Sequence, residues 1–186
     1  IKFRRSIRHY KNKPVEKEKL EKIIEAGRYT ATGSNMQDVS YIVVQETLEE
    51  IKPIVWESLY EFALENINEK GVIGAYAPRW IKMYEDYKKD PEKDMLFFKA
   101  PVLLIVTALS PLNGGLASSN IELMANAEKL GVLFTGFIER ALKNSEKAKK
   151  ILGINKKEII SCMLIGYPDI KFKRTVPRKT AEISWK

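Results

Sequence analysis

The feature of this sequence that most constrains its fold is a near-continuous apolar run from Pro101 to Thr107. Its length suits a β-strand, but a strand with one face in water would alternate apolar and polar side chains. Apolar residues at successive positions therefore predict a central strand that is covered on both faces. A second strand is predicted over residues 159–165. Because helical patterns separate the strands, the sequence predicts a layered α+β domain.

Length and composition favour one domain that spans residues 1–186. The chain has 186 residues, of which 45% are hydrophobic, and this suits a single core. No apolar stretch approaches the roughly 20 residues that cross a bilayer, and the charged N-terminus lacks a signal-peptide core. We therefore expect a cytoplasmic protein with no membrane partner. Cys162 is the only cysteine, which excludes an internal disulfide and a four-cysteine metal site; we predict a buried thiol and no metal.

The first half of the chain carries amphipathic patterns. They predict a helix that starts at Pro14 and ends near Gly27, a strand over residues 41–45 and a second helix over residues 48–68. Residues 71–99 differ, because aromatic residues alternate there with charged ones. We expect a lid-like helical excursion whose aromatic side chains either cover a pocket or pack against the body.

The second half contains a predicted loop, several helices and a tail. Gly114 and Gly115 are predicted to form a loop that leads into a helix over residues 118–130, whose small side chains would let another helix approach closely. The last residues, 171–186, form a basic extended tail that is apolar at Ile183 and Trp185. We expect this tail to reach a partner subunit, where its apolar residues would find a surface.

The charge of the chain favours an anionic partner. The formal net charge is +8, which suits a phosphate-bearing cofactor, a nucleotide or a nucleic acid. Near the N-terminus, Arg4, Arg5, Ser6 and Arg8 place guanidinium groups and a hydroxyl in one short segment. Arginine can bind phosphate with two parallel hydrogen bonds. Such clusters also occur on solvated and nucleic-acid-binding surfaces, so charge alone leaves these alternatives open.

Four sequence blocks resemble those of a known family. Residues 4–10 read RRSIRHY, residues 31–37 read ATGSNMQ, residues 166–168 read GYP and residues 176–178 read VPR. They are similar, in the same order, to the RRSIR, AP[ST]xxNxQ, GYP and PR blocks of FMN-dependent nitroreductases. The resemblance implies a three-layer α/β/α sandwich with a mainly antiparallel central sheet. It also implies an intertwined homodimer that holds FMN at the subunit interface.

The resemblance also implies roles for the arginine-rich segment. Arg4 and Ser6 would bind the FMN phosphate, with Arg178 approaching the same group from the C-terminal segment. Arg5 would contribute backbone or ribityl contacts. Arg8 would lie at the N1 and O2 edge of the flavin ring, where the reduced flavin gathers negative charge that a fixed cation stabilises.

Two further segments complete the site that the resemblance implies. Gly33, Ser34 and Asn35 would contact FMN from the second subunit, so that each site would exist only in the dimer. The backbone amides of Thr135 and Gly136 would donate to flavin N5 and O4, because the loop that holds them is similar to the family's segment beneath N5. Thr135 is also a helix cap by sequence, and both roles are compatible.

The chain departs from the family pattern in the partner loop. Thr32 stands where the family usually has proline, and Asp38 and Val39 replace the proline and tryptophan that often follow the glutamine. The residues that hold the flavin pyrimidine edge besides Arg8 are not assigned by the sequence.

The function that the resemblance implies is an FMN-dependent oxidoreductase of the nitroreductase type. Electrons would pass by a ping-pong mechanism from NAD(P)H to a nitroaromatic, quinone or similar acceptor, with no catalytic side chain. The chain begins at Ile1, so a reduced ferredoxin-type donor, supplied by an upstream domain, stays open. One alternative is a different FMN reaction on the same scaffold, such as dehalogenation or flavin breakdown. Another is a nucleic-acid-binding protein, which would bind in a salt-dependent way and be colourless; we expect no nucleic acid.

Overall fold

The computed structural model describes all residues from Ile1 to Lys186 as six helices and one four-stranded sheet. The helices are α1 (Lys17–Arg28), α2 (Leu48–Glu65), α3 (Val72–Lys89), α4 (Pro111–Ala127), α5 (Gly136–Lys143) and α6 (Glu146–Ile151). The strands are β1 (Ser40–Val44), β2 (Val102–Ala108), β3 (Gly131–Phe134) and β4 (Glu158–Gly166). None of the helices is both long enough and apolar enough to cross a membrane.

The sheet is antiparallel throughout, with the strand order β1-β2-β4-β3. Every residue of β2 is buried, as the apolar run predicts. Leu103 and Ile105 pack with α2, α3 and α5 on one face, whereas Leu104 and Val106 pack with α1 and α4 on the other. Successive side chains of a strand point to opposite faces, so one strand contributes to two cores. The predicted α+β class and three-layer α/β/α arrangement are confirmed.

The aromatic residues of the 71–99 excursion have two environments. The ring of Tyr87 stacks on that of Trp56 in α2 with centroids 4.8 Å apart, and Trp80 is buried. Tyr76 remains 38% exposed and lines a cavity. Both alternatives considered from the sequence therefore occur, because α3 buries one face against α2 and leaves the other free.

The structure corrects one prediction for the second half and adds a strand that the sequence did not predict. Gly114 and Gly115 do not form a loop, because α4 already begins at Pro111, with the Ser110 hydroxyl accepting from the Asn113 amide. A Cβ on Gly114 would lie 2.6 Å from Ile160 Cγ1, so glycine lets the helix approach the sheet. The strand β3 was not predicted; its four residues are too few for a periodic pattern, and pairing with β4 defines them.

Cys162 lies in β4 and is 1% exposed. The prediction of a buried thiol is confirmed. Burial raises the pKa of this thiol well above its usual value, because a low-dielectric interior disfavours the thiolate. The residue therefore acts as a small apolar side chain of the core and not as a nucleophile.

Candidate functional site

The arginine-rich N-terminal segment runs along the free edge of β3. Ser6 forms a parallel bridge with Val132, and the amide of Ile7 donates to the Val132 carbonyl at 3.1 Å. The side chain of Ile7 is buried, which anchors the segment. Gly131 makes the approach possible, because a Cβ at this position would lie 2.6 Å from Ile7 Cγ1. Residues that are distant in sequence are thus brought beside the end of β3.

The N-terminus of α5 lies at the same end of β3. The amide of Thr135 donates to the Cys162 carbonyl at 2.9 Å, and the Thr135 hydroxyl accepts from Ile138, which confirms its capping role. The amides of Gly136 and Phe137 have no acceptor in the structure. The first turn of a helix carries a partial positive charge and unpaired donors, so these two amides suit an electron-rich group.

Arg8 and this helix start share a cavity of about 250 Å³, which we call the edge cavity. Its lining includes Tyr76 and Arg79 from α3, together with Phe134, Gly136 and Phe137. No carboxylate lines it. Ligand pockets usually measure roughly 300–1,000 Å³, so one chain forms a site slightly smaller than usual. Cations, free amides and aromatic walls together fit a planar ligand that carries negative charge on one edge.

The other two arginines of the segment already have partners. Arg4 Nη1 lies 2.8 Å from Glu122 Oε1, and Glu122 is only 8% exposed. One ion pair leaves most of the five guanidinium N–H donors free for another anion. Arg5 Nη1 donates to the Arg174 carbonyl at 3.2 Å, and its guanidinium lies 4.0 Å from the centroid of the Phe172 ring. These contacts dock the beginning of the C-terminal tail on the N-terminal segment.

The structure does not join Arg178 to Arg4 by any contact. Arg178 is exposed in the extended tail and lies four residues beyond Arg174. Four residues span at most about 14 Å, and Arg174 is held beside Arg5. The tail therefore starts beside the arginine-rich segment. The four-residue separation between Arg174 and Arg178 limits how far Arg178 can lie from Arg5.

Gly33, Ser34 and Asn35 form a single 3-10 turn beside the first turn of α4. Ser34 and Asn35 adopt left-handed backbone conformations, with φ of 51° and 53°. The Gly33 amide donates to Asn113 Oδ1 at 3.1 Å. None of the three residues lines the edge cavity of its own chain. Within one chain, residues 33–35 and the edge cavity beside the arginine-rich segment are therefore separate.

Asp38 fixes this turn to the start of α4. Its carboxylate accepts from the Leu109 and Ser110 amides and from Asn113 Nδ2. These hydrogen bonds, that of Ser110 first, lower the pKa of the Asp38 carboxyl, because they stabilise the charged form. Asn113 then accepts from Gly33. The sequence showed Asp38 only as a departure from the family pattern, and its anchoring role emerges from the fold.

A larger cavity lies elsewhere, near Lys13, Gln45 and Tyr87, and measures about 520 Å³. Its charged groups are largely paired with one another: Lys52 lies 2.5 Å from Glu49, and Lys99 pairs with Glu92. None of the residues predicted from the sequence to form the site lines this cavity. The smaller edge cavity, with its unpaired cations and amides, is the better candidate.

One face of α4 exposes a row of large apolar side chains. Leu112 is 70% exposed, Leu116 46%, Leu123 37% and Met124 36%. Spacings of four and seven residues place Leu112, Leu116 and Leu123 on one side of the helix. Large apolar side chains exposed along one side of a helix are candidates for an interface.

Comparisons with known proteins agree with this arrangement. The sequence model of the family described as "Nitroreductase family" matches residues 1–167. A nitroreductase with bound FMN from Bacteroides fragilis superimposes with a TM-score of 0.72 at 19% identity, covering 98% of this chain and 95% of that one. Oxidised iodotyrosine deiodinase bound to FMN and 3-iodo-L-tyrosine gives 0.67 at 18% identity, covering 100% and 96%. At such identities these likenesses show the fold.

A relative found by sequence similarity is longer than this chain. An NADPH-dependent oxidoreductase of Staphylococcus aureus (strain USA300) is 26% identical over 162 residues, which cover 83% of this chain and 57% of that protein. The chain thus spans little more than half the length of the curated relatives it matches.

Proposed function

The chain belongs to the nitroreductase family, and we propose that it binds FMN in the edge cavity and acts as an FMN-dependent oxidoreductase. The observation that carries the proposal is the convergence of Arg8 and the start of α5 on one cavity, although more than 120 positions separate them in the sequence. FMN, when bound, supplies the ability to accept two electrons from one substrate and pass them to another.

The residues of the edge cavity fit the flavin ring. Arg8 would place its cation at the pyrimidine edge, where it favours the reduced cofactor. The amides with no protein acceptor, those of Gly136 and Phe137, are the donors we propose for N5 and O4. The Thr135 amide already donates to the Cys162 carbonyl, so Thr135 would contribute only by capping the helix. The open space around the Gly136 Cα leaves room for a ring.

The phosphate end of FMN would lie at the other end of the arginine-rich segment. Arg4, held by Glu122, keeps free N–H groups for a phosphate, and Ser6, two residues further along the chain, would add its hydroxyl. Arg178 would complete this site as the tail continues from Arg174. Arg5, which stacks on Phe172, would contribute ribityl contacts and hold the tail in place.

We further propose that the active unit is an intertwined homodimer. The apolar face of α4 needs a partner surface, and a second copy of α4 would supply one. Gly33, Ser34 and Asn35 would then contact the FMN of the partner subunit, with Asp38 fixing their turn. Residues 171–186 would extend over the partner, and residues 71–99 would act as a lid on the single domain 1–186.

The proposed reaction is a ping-pong transfer of electrons. NADPH is the favoured donor, because it is named for the relative from Staphylococcus aureus, and NADH and a reduced ferredoxin-type protein are the other donors. Nitroaromatic compounds, quinones or similar molecules are the proposed acceptors. Dehalogenation is a second candidate reaction, favoured by the likeness to iodotyrosine deiodinase.

The test of the cofactor is the absorbance spectrum of the purified protein. We expect flavin absorption in the visible blue, or its appearance when FMN is added to the protein and excess is removed. NADPH should then bleach the spectrum, and an added quinone should restore it. A protein that stays colourless in the presence of FMN and instead binds nucleic acid with a steep salt dependence would contradict the proposal.

Arg8 is expected to control the potential of the bound flavin. Replacing Arg8 by Ala should lower the reduction potential on the order of tens of millivolts, since about 30 mV corresponds to ~1.4 kcal/mol for a two-electron couple. The reason is that the cation stabilises the reduced state more than the oxidised one. The measurement is a redox titration of the flavin-loaded variant, with Arg8→Lys as the control that keeps the charge. An unchanged potential in a flavin-loaded Arg8→Ala protein would place Arg8 away from the ring.

A further inference from the structure

We propose that Arg79 recognises a carboxylate on a small aromatic substrate that reacts in the edge cavity. The inference rests on the proposed function and goes beyond it by assigning a substrate class and the residue that selects it. Two arginines, Arg8 and Arg79, line the cavity, and neither has a carboxylate partner there. The flavin accounts for Arg8 only. Arg79 is thus a cation of the proposed site that has no anionic partner in the cavity.

The position of Arg79 on α3 supports this role. Its neighbour one turn along the helix, Lys82, is paired with Asp86 at 2.9 Å, as is usual for an exposed helix face. Arg79 has no such pair and faces the cavity instead. A guanidinium binds a carboxylate through two parallel hydrogen bonds. The carboxylate of an anionic substrate would therefore pair with Arg79, which has no carboxylate partner within the protein.

The walls beside Arg79 indicate an aromatic substrate. The Tyr76 ring contacts Phe137 edge to face at a centroid distance of 5.6 Å and stacks on Trp80 at 5.7 Å, so its orientation is fixed by packing. Aromatic rings prefer such offset or edge-on neighbours.

The test compares benzoate with benzamide, its uncharged analogue, as ligands of the oxidised flavin-loaded protein. Binding is measured by the change in the flavin absorbance spectrum. We expect benzoate to bind the parent protein about tenfold or more tightly than benzamide, as charge-assisted bidentate bonding implies. Arg79→Ala should abolish this preference while it retains its flavin, and Arg79→Lys should keep part of it. Lys82→Ala, which removes a charge from the same helix, should behave as the parent.

Turnover provides a second readout. The ratio of kcat/KM for 4-nitrobenzoate to that for 4-nitrobenzyl alcohol should fall by the same factor in Arg79→Ala. A preference for benzoate that persists in Arg79→Ala, or that the parent lacks, overturns the inference but leaves the proposed function standing. Loss of flavin from Arg79→Ala also overturns it, as does a loss of discrimination between NADPH and NADH with unchanged benzoate preference. A parent protein that binds no flavin at all sinks the proposed function itself.

Discussion

Replacing Leu116 by Glu is expected to dissociate the protein into monomers that lose their flavin. Leu116 lies on the exposed apolar face of α4, which we propose as the centre of the homodimer. A charge buried without a partner costs about 3–5 kcal/mol, which weakens association roughly 10²- to 10⁴-fold. Because the turn from Gly33 to Asn35 would reach FMN only across the interface, the cofactor should be released at the same time.

The matched control for this substitution is Leu64→Glu. Leu64 in α2 is 47% exposed, nearly the same as the 46% of Leu116, but it does not lie on the α4 face. Sedimentation at micromolar concentration, monitored at the flavin and protein wavelengths, measures both properties together. Leu64→Glu should sediment as a yellow dimer, as should the parent protein. Addition of FMN should also raise the melting temperature of the parent protein. A yellow monomer of the parent would rule out a shared site, and with it the partner-loop roles.

The double substitution of Arg4 and Arg178 by Ala is expected to weaken FMN binding the most among the site variants. Each charge-assisted hydrogen bond contributes about 1.5–3 kcal/mol, so the pair corresponds to roughly 10²- to 10⁴-fold in Kd. The measurement is a fluorescence titration of the flavin-free protein with FMN, with riboflavin as the comparison. Riboflavin lacks the phosphate, so its affinity should change little.

Two controls separate the loss of phosphate contacts from a loss of charge or structure. Arg28→Ala combined with Lys89→Ala lowers the net charge by the same amount at exposed positions and should bind FMN normally. Arg4→Ala also leaves Glu122 buried without its partner, so Glu122→Gln is added to the double variant to remove that charge. The weakened binding should persist in this triple variant. Recovery of FMN affinity there would show that Arg4 acts only through folding.

Prediction from sequence succeeded where a residue's state depends on its neighbours in the chain. The run of β2 is apolar at every position because both faces are covered, and that pattern is legible without tertiary information. The capping hydroxyl of Thr135 and the helical spacing of α2 are also local. The four sequence blocks that resemble the nitroreductases, taken in their order along the chain, identified the family correctly, although the overall identity to solved relatives is only 18–20%.

Prediction failed where a long-range contact outweighs a local preference. Glycine in a helix costs about 0.5–1 kcal/mol relative to alanine, so Gly114 and Gly115 suggested a loop. Close packing of Gly114 on Ile160 is what the sequence could not show. The strand β3 depends likewise on β4, because four residues carry too little periodicity to be distinguished from a turn.

The sequence by itself therefore determined the layered α+β class, the burial of Cys162 and the family of this protein, because each depends on patterns of residues that are close together in the chain. Only the tertiary structure decided what surrounds the candidate site. It brought Arg79 to the same cavity as Arg8 and paired Arg4 with Glu122. It also gave the Thr135 amide an acceptor within the protein, the Cys162 carbonyl. The physical reason is that charge partners and free hydrogen-bond donors are properties of groups in space, and groups far apart in the chain meet only after the sheet and helices have packed.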